Sequence, residues 1–247
     1  MSKTGIFSSF HLKAAMCVLM VLDHIYRHFP GTPYVFHQFG RIVMPLFAFL
    51  IAQGMVHTRS RRGYITRLFG FGMVTMLGGA AIAFFFEGAV FRYNILISFA
   101  IAAQIIVAID TYKSDDARLR WIVMAALLAL VALFFEGAWM VTVPVLIFYY
   151  LRDRPLLMYT AYAVSVIPVI WLMSMVLSVT RGISVYMPSQ WLMVFGIIPI
   201  MLYNGRRDNG RRGAQGRSGV FAKYAFYMFY PLHLWILFLI SNLMYRR

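Results

Sequence analysis

LKAAMCVLMVLDHIYRHF (residues 12–29) is an apolar run that, with its flanks, is long enough to cross a membrane. Near its far end it carries an acid beside an imidazole, Asp23 and His24. Ionisable groups at that depth are rare, face the interior of a bundle, and mark functional sites. The rest of the chain repeats the apolar pattern. Of 247 residues, 62% are hydrophobic and only 13% are charged, with a mean hydropathy of +0.74. Soluble domains hold about a quarter charged residues, so the composition excludes an ordinary soluble fold. It points to an all-α, polytopic membrane helix bundle that forms a single domain over residues 1–247.

Apolar segments lie at 8–28, 35–57, 65–86, 92–110, 119–136, 139–151, 156–178, 188–203 and 221–243. They predict about nine transmembrane helices, the segments at 139–151 and 188–203 being short for a span of about 20 residues. Pro30, Gly31 and Pro33 divide the first two, and Pro155 opens the seventh. No small-residue cleavage site follows the first run, so it reads as a retained span. With the N-terminus placed inside, 17 of the 23 Lys and Arg fall on the inner side and 5 on the outer side, with Arg41 within the second span. That bias predicts a cytoplasmic N-terminus and an outer C-terminus. The net charge of +15 is thus read as orientation and contact with membrane lipids, with no nucleic-acid partner. The lone Cys17 supports neither a disulfide framework nor a metal site, and no metal is expected.

Four polar features could carry chemistry. Asp23 and His24 sit about 6–8 Å below the outer end of the first span, by the helical rise. A histidine there can take a proton near neutral pH, and a carboxylate can fix its tautomer. Alternatively, Asp23 pairs with an arginine to lock helices, and His24 is a bystander. Arg41, in FGRIVMPLFAFL, lies at nearly the same depth in the neighbouring span. It is expected to pair with Asp23, to stabilise an oxyanion, or both. Pro45, four residues on, is placed to kink that helix and free a carbonyl.

His233, in YPLHLW, falls about 15 Å into the last span. It reads either as a catalytic or thioester-facing histidine or as a buried one satisfied by a backbone carbonyl. Pro231 beside it suggests a local break. At the inner mouth, HTRSRRGYITR (57–67) brings Arg59, Arg61, Arg62 and Arg67 together, with Lys223 at the start of the last span. They can clamp phosphates or anchor the chain to anionic lipid. Asn94 and Ser98 open the fourth span as cap, interhelical hydrogen-bonding groups or substrate contacts. The pentapeptide FFEGA occurs at 85–89 and again at 134–138, each reading as a helix end closed by its glycine. Glycine-rich phosphate loops, metal-ligand clusters and nucleophile elbows are absent from the sequence.

In LKAAMCVLMVLDHI (12–25), GRIVMPLFAFLIAQGMVHTR (40–59), NILISFAIA (94–102) and KYAFYMFYPLHLWIL (223–237), the chain resembles the TraX family of F-pilin acetylase-like membrane acyltransferases. The resemblance implies a multi-pass enzyme of the bacterial inner membrane. It would move an acetyl group from cytoplasmic acetyl-CoA to an amine or hydroxyl of a peptide, pilin-like or envelope acceptor on the outer side. CoA phosphates would dock at Arg59, Arg61 and Arg62 with Arg67 or Lys223, and the pantetheine arm would pass His233. His24 would deprotonate the acceptor, with Asp23 orienting it or pairing with Arg41. The rival reading is a proton-coupled transporter that uses Asp23, His24 and Arg41 as a relay or gate. Against it, nine spans do not divide into two matching halves. A structural subunit would leave the buried polar cluster unexplained.

Overall fold

A computed structural model describes residues 5–87, 89–91, 94–114, 116–181, 189–206 and 217–245. Its regular elements are helices: α1 (Ser9–His28), α2 (Tyr34–Gly40), α3 (Val43–His57), α4 (Arg61–Phe84), α5 (Ile95–Tyr112), α6 (Arg118–Ala132), α7 (Ala138–Tyr150) and α8 (Pro155–Arg181), then a 3-10 helix (Gln190–Gly196), α9 (Ile197–Met201) and α10 (Arg217–Tyr245). Among the described residues, four helical stretches are long and apolar enough to cross a membrane: Tyr34–His57, Arg61–Phe84, Ile95–Tyr112 and Tyr224–Tyr245. Shorter apolar helices cover Met140–Tyr150, Pro155–Ile167 and Gln190–Met201. Apolar side chains such as Leu77 of α4, Leu119, Leu127 and Leu130 of α6 and Leu243 of α10 are exposed. That is the outer face expected of helices bathed in lipid tails. The chain is therefore an all-α, multi-pass membrane protein.

The second apolar segment is not one continuous helix as the sequence suggested. A turn at Arg41-Ile42 separates α2 from α3, closed by short bonds from Arg41 N–H to the Gln38 carbonyl and Ile42 N–H to the Phe39 carbonyl. Pro45 accounts for the position. Its ring excludes the carbonyl four residues back and its nitrogen cannot donate, and that carbonyl belongs to Arg41. The eighth segment likewise begins as a 3-10 helix and turns α-helical only at Ile197. The break suggested by Pro231 is absent, and α10 runs through it. A proline in a membrane helix removes one hydrogen bond, which neighbouring packing can offset.

The helices gather into two compact units. The first holds Met1–Leu50 and Ile147–Arg207. Here α1 starts at a capping box, in which Ser8 Oγ accepts from His11 N–H and His11 Nδ1 accepts from Ser8 N–H. It ends before Pro30-Gly31, where Gly31 takes φ +84°, a turn glycine allows, and the chain folds back into α2 against α1. Phe49 and Phe148, both fully buried, meet edge to face at 5.7 Å, and Tyr162 donates its hydroxyl to the Met193 carbonyl at 2.9 Å. Phe7 bridges Tyr203 in a short parallel pairing that ties the segment before α1 to the segment after α9.

The second unit holds Ile51–Leu146 and Asp208–Arg247. Its centre is α5, packed between α4 and α6 and the most thoroughly buried helix of the unit. Ile97, Ile101, Ile105 and Ala132 form the buried contact. On the far side of α4, Trp235 of α10 lies against Gly78 and donates Nε1–H to the Thr75 carbonyl at 3.0 Å. A Cβ at Gly78 would come within 2.2 Å of that ring. Both FFEGA repeats follow a helix end closed by short i to i−3 bonds, at Phe85-Phe86 and at Leu133-Phe134. Gly137 does not close α6 as the sequence suggested: α6 ends at Ala132, and Gly137, at φ +80°, stands directly before α7, where its carbonyl accepts from Val141 N–H at 3.2 Å, while Gly88 lies outside the described residues.

Candidate active site

Three charged or titratable side chains of the first unit converge on one carboxylate. Asp23, 6% exposed, projects from α1 toward α2. Arg41 Nη2 donates to both of its oxygens at 2.8 Å, so the pairing expected from their similar depth is present. Arg27, one turn along α1, donates Nε–H to Oδ2 at 3.0 Å. His37 of α2 places Nδ1 2.8 Å from Oδ1. The opposite faces of Arg41 are held by the His37 carbonyl, 3.4 Å from Nε, and by Gln190 Oε1, 3.5 Å from Nη1. His24 is buried, at 7% exposed, one position beyond Asp23 on α1. Successive helix positions point about 100° apart, so the carboxylate and that imidazole leave the helix in different directions.

The sequence shapes this cluster locally. Asp23 and Arg27 are four residues apart, as are His37 and Arg41, so each pair shares a helix face. The tight turn at Pro30-Gly31 then lays one face against the other. Gly40 permits the approach: a Cβ there would lie 2.4 Å from Asp23 Cβ and 2.8 Å from Oδ1. Gly40→Ala is accordingly expected to push Asp23 off its partners and destabilise the protein by about 1–3 kcal/mol, the usual penalty of overpacking. Thermal unfolding in detergent checks this, and an unchanged midpoint would mean that the two helices separate freely.

Reading the sequence missed His37, Arg27 and Gln190. The first two were within reach of the i, i+4 spacing just described, once Asp23 and Arg41 had been paired. Gln190 is 149 positions from Arg41, and no sequence signal joins them.

The second unit holds the other candidates. His233, 7% exposed, donates Nδ1–H to the Phe229 carbonyl at 2.7 Å, the backbone-satisfied arrangement weighed above, and stacks on the Phe229 ring at 4.8 Å. In the neutral imidazole that bond leaves the lone pair on Nε2. Asn94 caps no amide with its side chain but donates Nδ2–H to the Gly72 carbonyl at 3.1 Å, an interhelical bond. Its own N–H goes to Glu136 Oε2 at 2.7 Å, and Ser98 Oγ donates to the Glu136 carbonyl at 2.6 Å. Asn94 and Ser98 therefore tie α5 to α4 and to the segment after α6.

At the start of α4, Ser60 Oγ caps Gly63 N–H. Arg59 and Arg62 are exposed, whereas Arg61 is bonded to Asp110 at 2.7 Å. Arg67 lies over the Tyr64 ring at 6.0 Å, and its Nε is buried without an acceptor among the described residues. The Lys223 side chain is outside the described residues. No group of three or more His, Cys, Asp or Glu suited to a metal occurs among the described residues.

Comparison with known proteins assigns this helical scaffold. The chain is 26% identical over 256 residues to a probable fimbrial assembly protein FimC, serogroup H1, of Dichelobacter nodosus, covering 96% of this chain and 97% of that one. It is 34% identical over 102 residues to protein TraX of Escherichia coli, covering 40% of this chain and 39% of that protein. No solved structure matches it. The TraX protein family matches residues 8–241, from the cap of α1 into α10, and the chain belongs to that family.

Proposed function

We propose that the protein is an integral membrane acyltransferase that moves an acetyl group from acetyl-CoA to an amine or hydroxyl of a pilin-like or other envelope acceptor. The observation that carries the reading is the Asp23 cluster, a carboxylate held by two guanidinium groups and an imidazole in a chain of the TraX family. Buried ionic clusters are costly, and they persist in membrane proteins where they serve a site. Acyl transfer needs a base for the acceptor and a positive group near the developing oxyanion. An imidazole, His24 or His37, supplies the first, and Arg41 is suited to the second. The fimbrial name of the D. nodosus relative favours a pilin-like acceptor. Nine spans, with the N-terminus in the cytoplasm of a bacterial cell and the C-terminus outside, fit the distribution of Lys and Arg.

The donor-binding role falls to the start of α4. Phosphates bind where guanidinium groups have donors to spare, and the buried Nε of Arg67 fits an anion. Arg59 and Arg62 are exposed and can reach one, with Lys223 as a further cation. Arg61 is suited less, since Asp110 already takes its Nη1. His233 remains a candidate for the thioester side, with Asn94 and Ser98 as acceptor contacts only if their helix-bridging bonds are exchanged.

Replacing Arg59 and Arg62 together with Gln is expected to weaken acetyl-CoA binding about 10-fold or more, each charge-assisted bond contributing about 1.5–3 kcal/mol when well formed and less at the surface. Calorimetry on detergent-purified protein measures it. Saturable binding that falls in the double variant supports the reading. Folded wild type that binds no acyl-CoA would return the cluster to the transporter interpretation.

A further inference from the structure

Two imidazoles stand near the Asp23 carboxylate, and the structure distinguishes them. His24 shares a helix with Asp23 and leaves it in another direction. His37 reaches across from α2 and sets Nδ1 against Oδ1 at 2.8 Å. A carboxylate has no proton to give, so the hydrogen of this bond belongs to the imidazole, which donates from Nδ1. In the neutral ring the lone pair then sits on Nε2, on the edge turned away from Asp23.

The ring is also held in place. It stacks on Tyr26 of α1 at 5.2 Å and 30°, and meets the tilted ring of Tyr34 of α2 at 5.8 Å and 39°. Asp23 is fixed in turn by the forked contact from Arg41 and by Arg27. Unlike the nearly closed side chains of Asp23 and Arg41, at 9% and 11%, that of His37 is 20% exposed. An oriented imidazole, a carboxylate behind it and partial exposure of the ring are the three parts a general base requires.

We propose that His37, oriented by Asp23, is the base that deprotonates the acceptor; this rests on the acyl-transfer reading. The step is as follows. The acceptor nitrogen or oxygen forms a bond to the thioester carbonyl carbon and gives up its proton to His37 Nε2. The C–S bond breaks and the sulfur leaves with the electron pair. The imidazolium, stabilised by Asp23 at Nδ1, then returns the proton to that thiolate, so the products are acylated acceptor and free thiol. Arg27 and Arg41 are positioning residues here, since they hold the carboxylate that holds the ring.

The test is acetyl transfer from acetyl-CoA, by full-length protein in detergent, to a peptide with a free N-terminus and to a hydroxylated counterpart. His37→Asn is the informative variant, because the Asn amide can still donate to Asp23 from the position of Nδ1 but carries no base. We expect its kcat to fall about 10²–10⁴-fold, the usual contribution of general-base catalysis. Its acetyl-CoA affinity and thermal midpoint should stay near those of wild type. His37→Gly should regain turnover on addition of free imidazole, which a purely structural histidine would not show. If His37→Asn turns over like wild type and His24→Asn does not, His37 is not the base, while acyl transfer stands. If wild type transfers acetyl to neither acceptor from bound acetyl-CoA, the acyl-transfer reading falls, and this assignment with it.

Discussion

Asp23→Ala is expected to destabilise the protein by about 3–5 kcal/mol, the scale of breaking a buried ion pair from one side. The substitution removes the carboxylate that accepts two bonds from Arg41 Nη2, one from Arg27 Nε and one from His37 Nδ1. Arg41 would be left largely buried with its counter-charge gone, its side chain being 11% exposed. Methyl-sized Ala cannot restore those bonds, and water reaches a group at this depth poorly. Thermal or denaturant unfolding in detergent would show the loss, together with a fall in acetyl transfer below detection. An Asp23→Ala protein with the wild-type midpoint would mean that the cluster is solvated and its charges contribute little.

The paired replacement Asp23→Asn with Arg41→Gln should behave differently. Removing both charges removes the uncompensated guanidinium as well, and neutral amides of similar shape can bond to each other. Replacing both partners of a buried polar pair is often near neutral for stability. Most of the stability lost in Asp23→Ala is therefore expected to return. Turnover is not: the variant lacks both the carboxylate behind His37 and the cation suited to the oxyanion, and one oxyanion donor alone is typically worth about 10²–10³-fold. Measured side by side, midpoint and kcat separate the two readings of the pair. Stability and turnover recovering together would make Asp23–Arg41 a helix lock and nothing more.

The fold was legible wherever hydropathy and breakers spoke together. Apolar runs between basic connections placed α4, α5 and α10 to within a few residues, because a membrane helix must satisfy its own backbone and so advertises its length. The division of α2 from α3 was only half legible. Pro45 marked a weak point, but the turn falls at Arg41-Ile42, where the carbonyl displaced by the proline lies. In the site, Asp23 and Arg41 could be paired from charge and depth alone. His37 was passed over because it sits in a short amphipathic segment beside the Pro-Gly turn, where a histidine looks like an interfacial residue. Its partner is 14 positions away, across a turn whose geometry hydropathy does not report. Arg61 looked like one of four equivalent cations, and only the fold reveals that Asp110, a full helix later, occupies it. Asn94 and Ser98 were legible as polar groups in an apolar helix, yet their tie to Glu136 depends on the path of the chain after α6.

The central claim is that this chain transfers an acyl group from a CoA thioester. The direct measurement is release of free thiol from acetyl-CoA by the purified wild-type protein, with mass spectrometry of a pilin-like peptide acceptor in the same reaction. The account predicts saturable thiol release that depends on the acceptor, a gain of one acetyl group on the peptide, and loss of both in His37→Asn. Folded protein that binds acetyl-CoA or the peptide but releases no thiol and leaves the peptide unmodified would contradict it.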